Sequence, residues 1–255
     1  MRFWARPEDA PDFSYLAPDD VNIAVKSSLR DLGVEVSSDQ TFKIHITKTV
    51  TAASRLVGWG LRTFRRRGFG LMKTLWKSLI QPKLDYCSQL WSPEDQDSIN
   101  SIEAVQRHFL SKVGGLKEMN YWERLSHLHL YSQERRRERY MVLFIWKISQ
   151  GLVKGFNIDF IESGRRGKMA VVKPFVSSAP AAVRRAREAS LAVKGCRVFN
   201  LLPGYVRNLS GCSVDSFKLA LDSFLSTVPD EPTTQGLTRA AETNSMIHQV
   251  PMLAD

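Results

Sequence analysis

A chain of 255 residues, 43% of them hydrophobic, is long enough for one large domain or two small ones around a core. Its formal charge of +10 and pI of about 9.7 favour an acidic partner, either nucleic acid or an anionic membrane surface. Three cysteines, Cys87, Cys196 and Cys212, are odd in number and too widely spaced for a zinc pair. This argues against a disulfide framework and for a reducing intracellular setting, nuclear or cytoplasmic.

Residues 1–9 lack the apolar core of a secretory signal. No run of about 18 uncharged apolar residues offers a transmembrane helix. The charge is uneven: residues 1–41 carry −4, 42–91 carry +9, 92–132 carry −2, 133–200 carry +10 and 201–255 carry −3. Two basic blocks therefore hold the excess, the pattern of a groove or face.

In chain order, residues 1–12 read as a disordered head and residues 13–37 as a small antiparallel sheet. A strand over 13–16 is followed by turn chemistry at Ala17-Pro18-Asp19-Asp20, then by alternation at Val21, Ile23, Val25 and again at Leu32, Val34, Val36. From Phe42 the period becomes helical. Phe42, Ile46, Val50, Ala53, Val57, Leu61 and Phe64 form one apolar stripe, with Gly68 as the stop. A second helix spans about 71–81, with Leu71, Leu75 and Leu79 on one face and Pro82 as its breaker. Asp95 or Asp97 caps a third helix carrying Ile99, Ile102, Val105, Phe109 and Val113. A short helix near 121–127 and a longer one over 133–150, ended by Gly151, complete a helical bundle over 42–151. Residues 152–225 form a looser basic extension, with loops over 155–190, a strand near 169–172 and a last helix capped by Ser213 with Phe217, Leu221, Phe224 and Leu225 inward. Residues 226–255 lose apolar periodicity and read as a disordered tail. The fold class expected is mainly α, with a short β hairpin or sheet at the N-terminus.

The run Leu75-Trp76-Lys77-Ser78-Leu79-Ile80-Gln81-Pro82-Lys83-Leu84-Asp85-Tyr86-Cys87-Ser88-Gln89-Leu90-Trp91-Ser92-Pro93 resembles a segment of non-LTR retrotransposon reverse transcriptases of the jockey-like group, downstream of their polymerase active site. Further blocks follow in the same order. Leu29-Arg30-Asp31-Leu32-Gly33-Val34 resembles a strand beyond the catalytic Asp pair, and Phe42 to Phe64 the first thumb helix. Ile102-Glu103-Ala104-Val105-Gln106-Arg107, Trp122-Glu123-Arg124-Leu125 and Glu134-Arg135-Arg136 match later blocks. So do Val198-Phe199-Asn200-Leu201-Leu202-Pro203, with Phe199 where Trp is usual, and Ser213-Val214-Asp215-Ser216-Phe217-Lys218. The likeness covers roughly residues 13–226. It implies the end of a polymerase palm, the thumb and the region after it.

Such polymerases hold two magnesium ions on a Tyr/Phe-x-Asp-Asp turn plus an earlier Asp. The local look-alike, Leu16-Ala17-Pro18-Asp19-Asp20, lacks the aromatic and carries an intruding proline, so it reads as a hairpin turn. The expectation is a reverse transcriptase fragment without catalytic residues or a cofactor of its own, Mg²⁺ belonging to the intact polymerase. Its partners are the backbone of RNA or an RNA–DNA duplex and the missing polymerase half, and no membrane. The alternative is a stand-alone helical nucleic-acid-binding or interaction protein derived from such an element.

The cations proposed for that backbone fall in four groups. Arg62, Arg65, Arg66 and Arg67 end the first thumb helix, where guanidinium groups suit phosphates; a solvated helix end is the competing explanation. Arg135 and Arg136 lie among Glu134 and Glu138, which can pair with them locally. Arg165, Arg166 and Lys168, then Arg184, Arg185 and Arg187, lie in loop-like sequence. Trp76, Trp91, Trp122 and Trp146 fit core packing better than base stacking, and His127 with His129 lacks a third ligand for a metal.

Overall fold

The computed structural model describes residues 16, 18–19, 26–39, 41–156, 158–164, 167–174, 181–232 and 244–251. It is mainly helical, with two separate two-stranded antiparallel sheets. The N-terminal hairpin pairs β1 (Ser28–Asp31) with β2 (Val34–Ser37) in the register Ser28 to Ser37 and Asp31 to Val34. Its two-residue turn has positive φ at both Leu32 (44°) and Gly33 (89°), the handedness that matches strand twist. Glycine adopts this freely; Leu32 is held in it by Tyr86, whose Oη donates to the Leu32 carbonyl at 2.7 Å. The strand expected at 13–16, Leu16 apart, and the alternation at 21–25 lie outside the described residues.

Helix α1 (Lys43–Thr63) follows the expected stripe. Ile46, Ala53 and Val57 are buried, while Phe42, Val50, Leu61 and Phe64 pack at the core margin. The next helix departs from expectation. Helical backbone runs from α2 (Phe69–Leu75) through a π turn (Trp76–Ile80) into α3 (Gln81–Asp85), straight past Pro82. Proline lacks an N–H and its ring crowds the carbonyl four residues back. The wider turn, in which Gln81 N–H donates to the Trp76 carbonyl, relieves that conflict without ending the helix. It also takes more residues per revolution, so residues four apart stay aligned. Met72, Trp76, Ile80 and Leu84 are buried together with Leu75, whereas Leu71 and Leu79 are exposed.

After Cys87 in the left-handed region come α4 (Ser88–Trp91) and α5 (Gln96–Leu110). Asp95 caps α5 by accepting the Ser98 N–H at 3.0 Å, and Ile99, Ile102, Val105 and Phe109 turn inward. Asn120 and Glu123 form a reciprocal capping box at α6 (Tyr121–Leu128). These elements close a first core centred on Trp76, Trp91 and Phe109. Trp122 packs against it, half-buried.

Helix α7 (Gln133–Ser149) links the two halves. Its first turns bury polar side chains, Gln133, Glu134, Arg135, Arg137 and Glu138, and its last turns bury Met141, Val142, Ile145, Trp146 and Ile148. The apolar end enters a second core with the hairpin of β3 (Phe160–Ser163) and β4 (Gly167–Ala170) and a set of short helices. There Trp146 stacks on Phe217 with ring centroids 4.3 Å apart. Residues 181–189, expected as loop, form α8 (Ala181–Ala189), since Ala, Arg and Glu are all strong helix formers. A π turn (Leu191–Gly195), α9 (Cys196–Asn200), α10 (Gly204–Arg207) and α11 (Val214–Leu225) follow, the last capped by Ser213 as expected.

The expected disordered tail needs correction. Residues 226–232 and 244–251 are packed, with Val228 and Met246 buried in the second core and a closing turn of helix, α12 (Met246–Gln249). Polar pairing rather than apolar period fixes this segment. Asn244 Nδ2 donates to Asp230 (2.9 Å), the Met246 N–H to Glu138 (2.9 Å), and Arg135 Nη2 to the Asn244 carbonyl (2.9 Å).

Candidate nucleic-acid interface

From Gln40 to Leu84 the sequence holds ten Lys or Arg and no acidic residue. Those on α1 and just beyond it are Lys43, Lys48, Arg55, Arg62, Arg65, Arg66 and Arg67, all exposed. Lys48 pairs with Glu35 of the hairpin at 2.7 Å; among the described residues none of the five arginines forms an ion pair. The arginine run is anchored through its backbone. Gly114 N–H donates to the Arg67 carbonyl at 2.7 Å, and Arg67 Nη2 reaches back to the Leu61 carbonyl at 3.3 Å. Of the residues proposed from the sequence, Arg62 is exposed in the last turn of α1 and Arg65, Arg66 and Arg67 are exposed just beyond it.

A cleft of about 440 Å³ runs along α1, lined by Val50, Thr51, Ser54, Arg55, Gly58 and Arg62. A second of about 330 Å³ shares Val50 and Ser54 and continues to α5 at Ser101, Ala104, Val105 and His108. Small side chains form the floor and neither cleft contains a carboxylate. Gly58 matters here: a Cβ at this position would stand 3.2 Å from Arg62 Nη1, so glycine lets the guanidinium fold over the helix. On the same exposed face lies Trp59, 46% exposed and edge-on to Phe64 with centroids 6.1 Å apart. Sequence reasoning passed over Trp59; its signal was its place between Arg55 and Arg62 at steps of four and three.

The second basic group serves a different purpose. Arg135 is wholly buried, donating to the carbonyls of Pro229 (2.8 Å) and Asn244 (2.9 Å). Arg136 grips Asp85 with two groups, Nε to Oδ1 at 2.9 Å and Nη2 to Oδ2 at 2.7 Å, while Tyr140 Oη approaches the same carboxylate. Arg139 holds Asp222 in the same way, at 2.5 and 2.7 Å. Arg135 and Arg136 are therefore withdrawn as phosphate contacts: their charge is met by acids and carbonyls brought from distant parts of the chain. Local pairing along the helix surface, the competing reading of the sequence, describes only the contact of Arg135 with Glu138.

Around them lies a closed polar layer between the two cores. Glu103 accepts from Tyr121 Oη and from the Gln133 N–H (2.9 Å), and Gln133 donates to Gln106. Burial raises the Glu103 carboxyl above its ordinary range. Burial, reinforced by Glu138, pushes Glu134 up to about 7, and Lys194 and Arg137 only partly offset this. Arg137 is itself enclosed, with Nε and Nη1 lacking hydrogen-bond partners among the described residues. Glu103 and Glu134 are at most 6% exposed, so these perturbed carboxyls belong to the interior.

Of the remaining sequence candidates, Arg165 and Arg166 lie outside the described residues. Lys168 is turned inward, with Nζ donating to the Ser149 carbonyl at 3.1 Å and lying over the Phe160 ring. Arg187 bonds to the Lys173 carbonyl, while Arg184 and Arg185 are exposed on α8, an element separate from the α1 cluster. Trp76, Trp91 and Trp146 are core residues. Asp19 is exposed, Asp20 lies outside the described residues, and Asp85 is engaged by Arg136. Among the described residues no three His, Cys, Asp or Glu converge as a metal site, and no helix is long and apolar enough to cross a membrane. No family model matches the chain, and neither curated proteins nor solved structures yield a match.

Proposed function

We propose that this chain is the duplex-holding thumb and downstream region of a non-LTR retrotransposon reverse transcriptase, binding the backbone of RNA or an RNA–DNA hybrid and acting with a polymerase half that carries the metal-binding carboxylates. The reading rests on sequence blocks that occur in the order found in jockey-like elements. One structural observation supports it most: an acid-free helix, α1, whose exposed Arg55 and Arg62 border a shallow cleft, followed just beyond its end by exposed Arg65, Arg66 and Arg67. Backbone contact of this kind positions a duplex without reading its sequence, as a polymerase requires. A nucleic-acid partner accords with a nuclear or cytoplasmic location. A stand-alone binding protein derived from such an element would use the same face.

Two assays on the purified chain test this together. Fluorescence anisotropy with an RNA–DNA hybrid should give saturable binding that weakens with salt. Primer extension with Mg²⁺ or Mn²⁺ should give no incorporation. Absence of hybrid binding at low salt defeats the reading, and nucleotide incorporation defeats its division of labour.

A further inference from the structure

Trp59 has no role in the core and stands among cations. It is 46% exposed, whereas Trp76, Trp91 and Trp146 are each at most 1% exposed. At about 100° per residue, Arg55, Trp59 and Arg62 fall within about 60° of one another around α1. Arg62 arches over Gly58, the residue just before the indole, and Arg55 and Arg62 both line the cleft beside it. One ring edge is steadied by Phe64, at 85° between planes, which limits the side-chain freedom lost on binding. Single exposed aromatics are ordinary on protein surfaces. What sets this one apart is a guanidinium on either side along the helix and the lack of any carboxylate in the cleft.

From this geometry we infer that Trp59 is a stacking platform for an unpaired nucleobase whose flanking phosphates are held by Arg55 and Arg62. Charge complementarity selects a polyanionic strand. The flat indole selects a base with an open π-face, which a fully paired stem does not present along its side. Stacking of this kind tolerates any base, as every base has such a face. The site therefore prefers a hybrid bearing a single-stranded overhang to a blunt one. This rests on the duplex-holding reading and adds a substrate preference to it.

The test uses the full chain and three labelled probes: a blunt RNA–DNA hybrid, the same hybrid with an RNA overhang, and the single-stranded RNA. The overhang hybrid should bind about ten-fold tighter than the blunt one. Trp59→Ala should erase that preference while keeping blunt-hybrid affinity within about two-fold. Arg55→Gln with Arg62→Gln should weaken all three probes. Tryptophan emission should be quenched by the overhang hybrid, and Trp59→Phe, which retains a ring against Phe64, should remove the quench. Equal wild-type affinity for blunt and overhang hybrids, or a quench that survives Trp59→Phe, overturns the inference and leaves the duplex-holding reading standing. No binding of any probe overturns both.

Discussion

Replacing Glu134 with Gln should stabilise the protein at alkaline pH and do little in acid. Glu134 is 5% exposed in the layer between the two cores, facing Glu138, Glu103, Arg137 and Lys194. Its carboxyl stands at about 7 in the folded chain against an ordinary 4.5, with burial the leading cause and Glu138 the next. A raised folded pKa means that the native state keeps a proton which the unfolded chain has already released between those two values. Stability then falls as pH rises through the window from about 4.5 to about 7, and levels off above it. At about 1.4 kcal/mol per pKa unit, the cost of ionising Glu134 in place is on the order of 3 kcal/mol. Glutamine, nearly isosteric and never ionised, escapes that cost. Urea denaturation at a series of pH values should therefore show the Glu134→Gln curve meeting wild type near pH 4 and lying above it by about 3 kcal/mol at pH 8. Parallel curves with no pH-dependent gap, or a variant less stable at pH 8 than at pH 4 relative to wild type, would refute the assignment of an enclosed, proton-holding carboxyl.

Other substitutions separate arginines of the interior from those of the surface. Arg136→Ala leaves Asp85 without its guanidinium and should cost about 2 kcal/mol in chemical denaturation, somewhat below a fully buried pair because both groups keep partial solvent contact. Arg65→Ala, on an exposed side chain, should stay within about 0.5 kcal/mol of wild type; equal costs for the two would undo the distinction. Met246→Ala should lose about 2–5 kcal/mol by leaving a cavity in the second core. A thermal midpoint unchanged by that substitution would mean that residues 244–251 do not pack.

Elements governed by local rules were legible in the sequence. The α1 stripe and the Ser213 cap of α11 need only a period and a side-chain acceptor and stand where expected, and of the two candidate caps Asp95 and Asp97 it is Asp95 that caps α5. The misreadings share a cause, which is that the deciding partner lies far along the chain or in an unusual turn. At Pro82 a period of 3.6 put Leu71 and Leu79 inward, whereas the π turn realigned the helix on Met72, Trp76 and Ile80. Glycines and prolines scattered over 155–180 coloured the reading of the next stretch, hiding the strong local helix propensity of Ala181–Ala189. Arg135 and Arg136 looked like surface cations because their partners, Asn244 and Asp85, are 109 and 51 residues away. The tail has no apolar period to read; its position is set by Asp230 and Asn244 meeting Ser132, the cap of α7, and by Ser245 meeting Glu138 on α7. By contrast, Arg62 and Arg65 to Arg67 needed no tertiary information: without an acidic neighbour for many residues on either side, they had nothing local to neutralise them.

The salt dependence of hybrid binding bears most directly on the central claim. Each phosphate neutralised by Lys or Arg contributes about 0.9 to the slope of log affinity against log salt, so wild type should show a steep line. Exchanging Arg62, Arg65, Arg66 and Arg67 together for Gln should flatten that slope by about three to four units with the fold intact by circular dichroism. An unchanged slope in a folded quadruple variant would contradict the assignment of this end of α1 as the phosphate-holding surface.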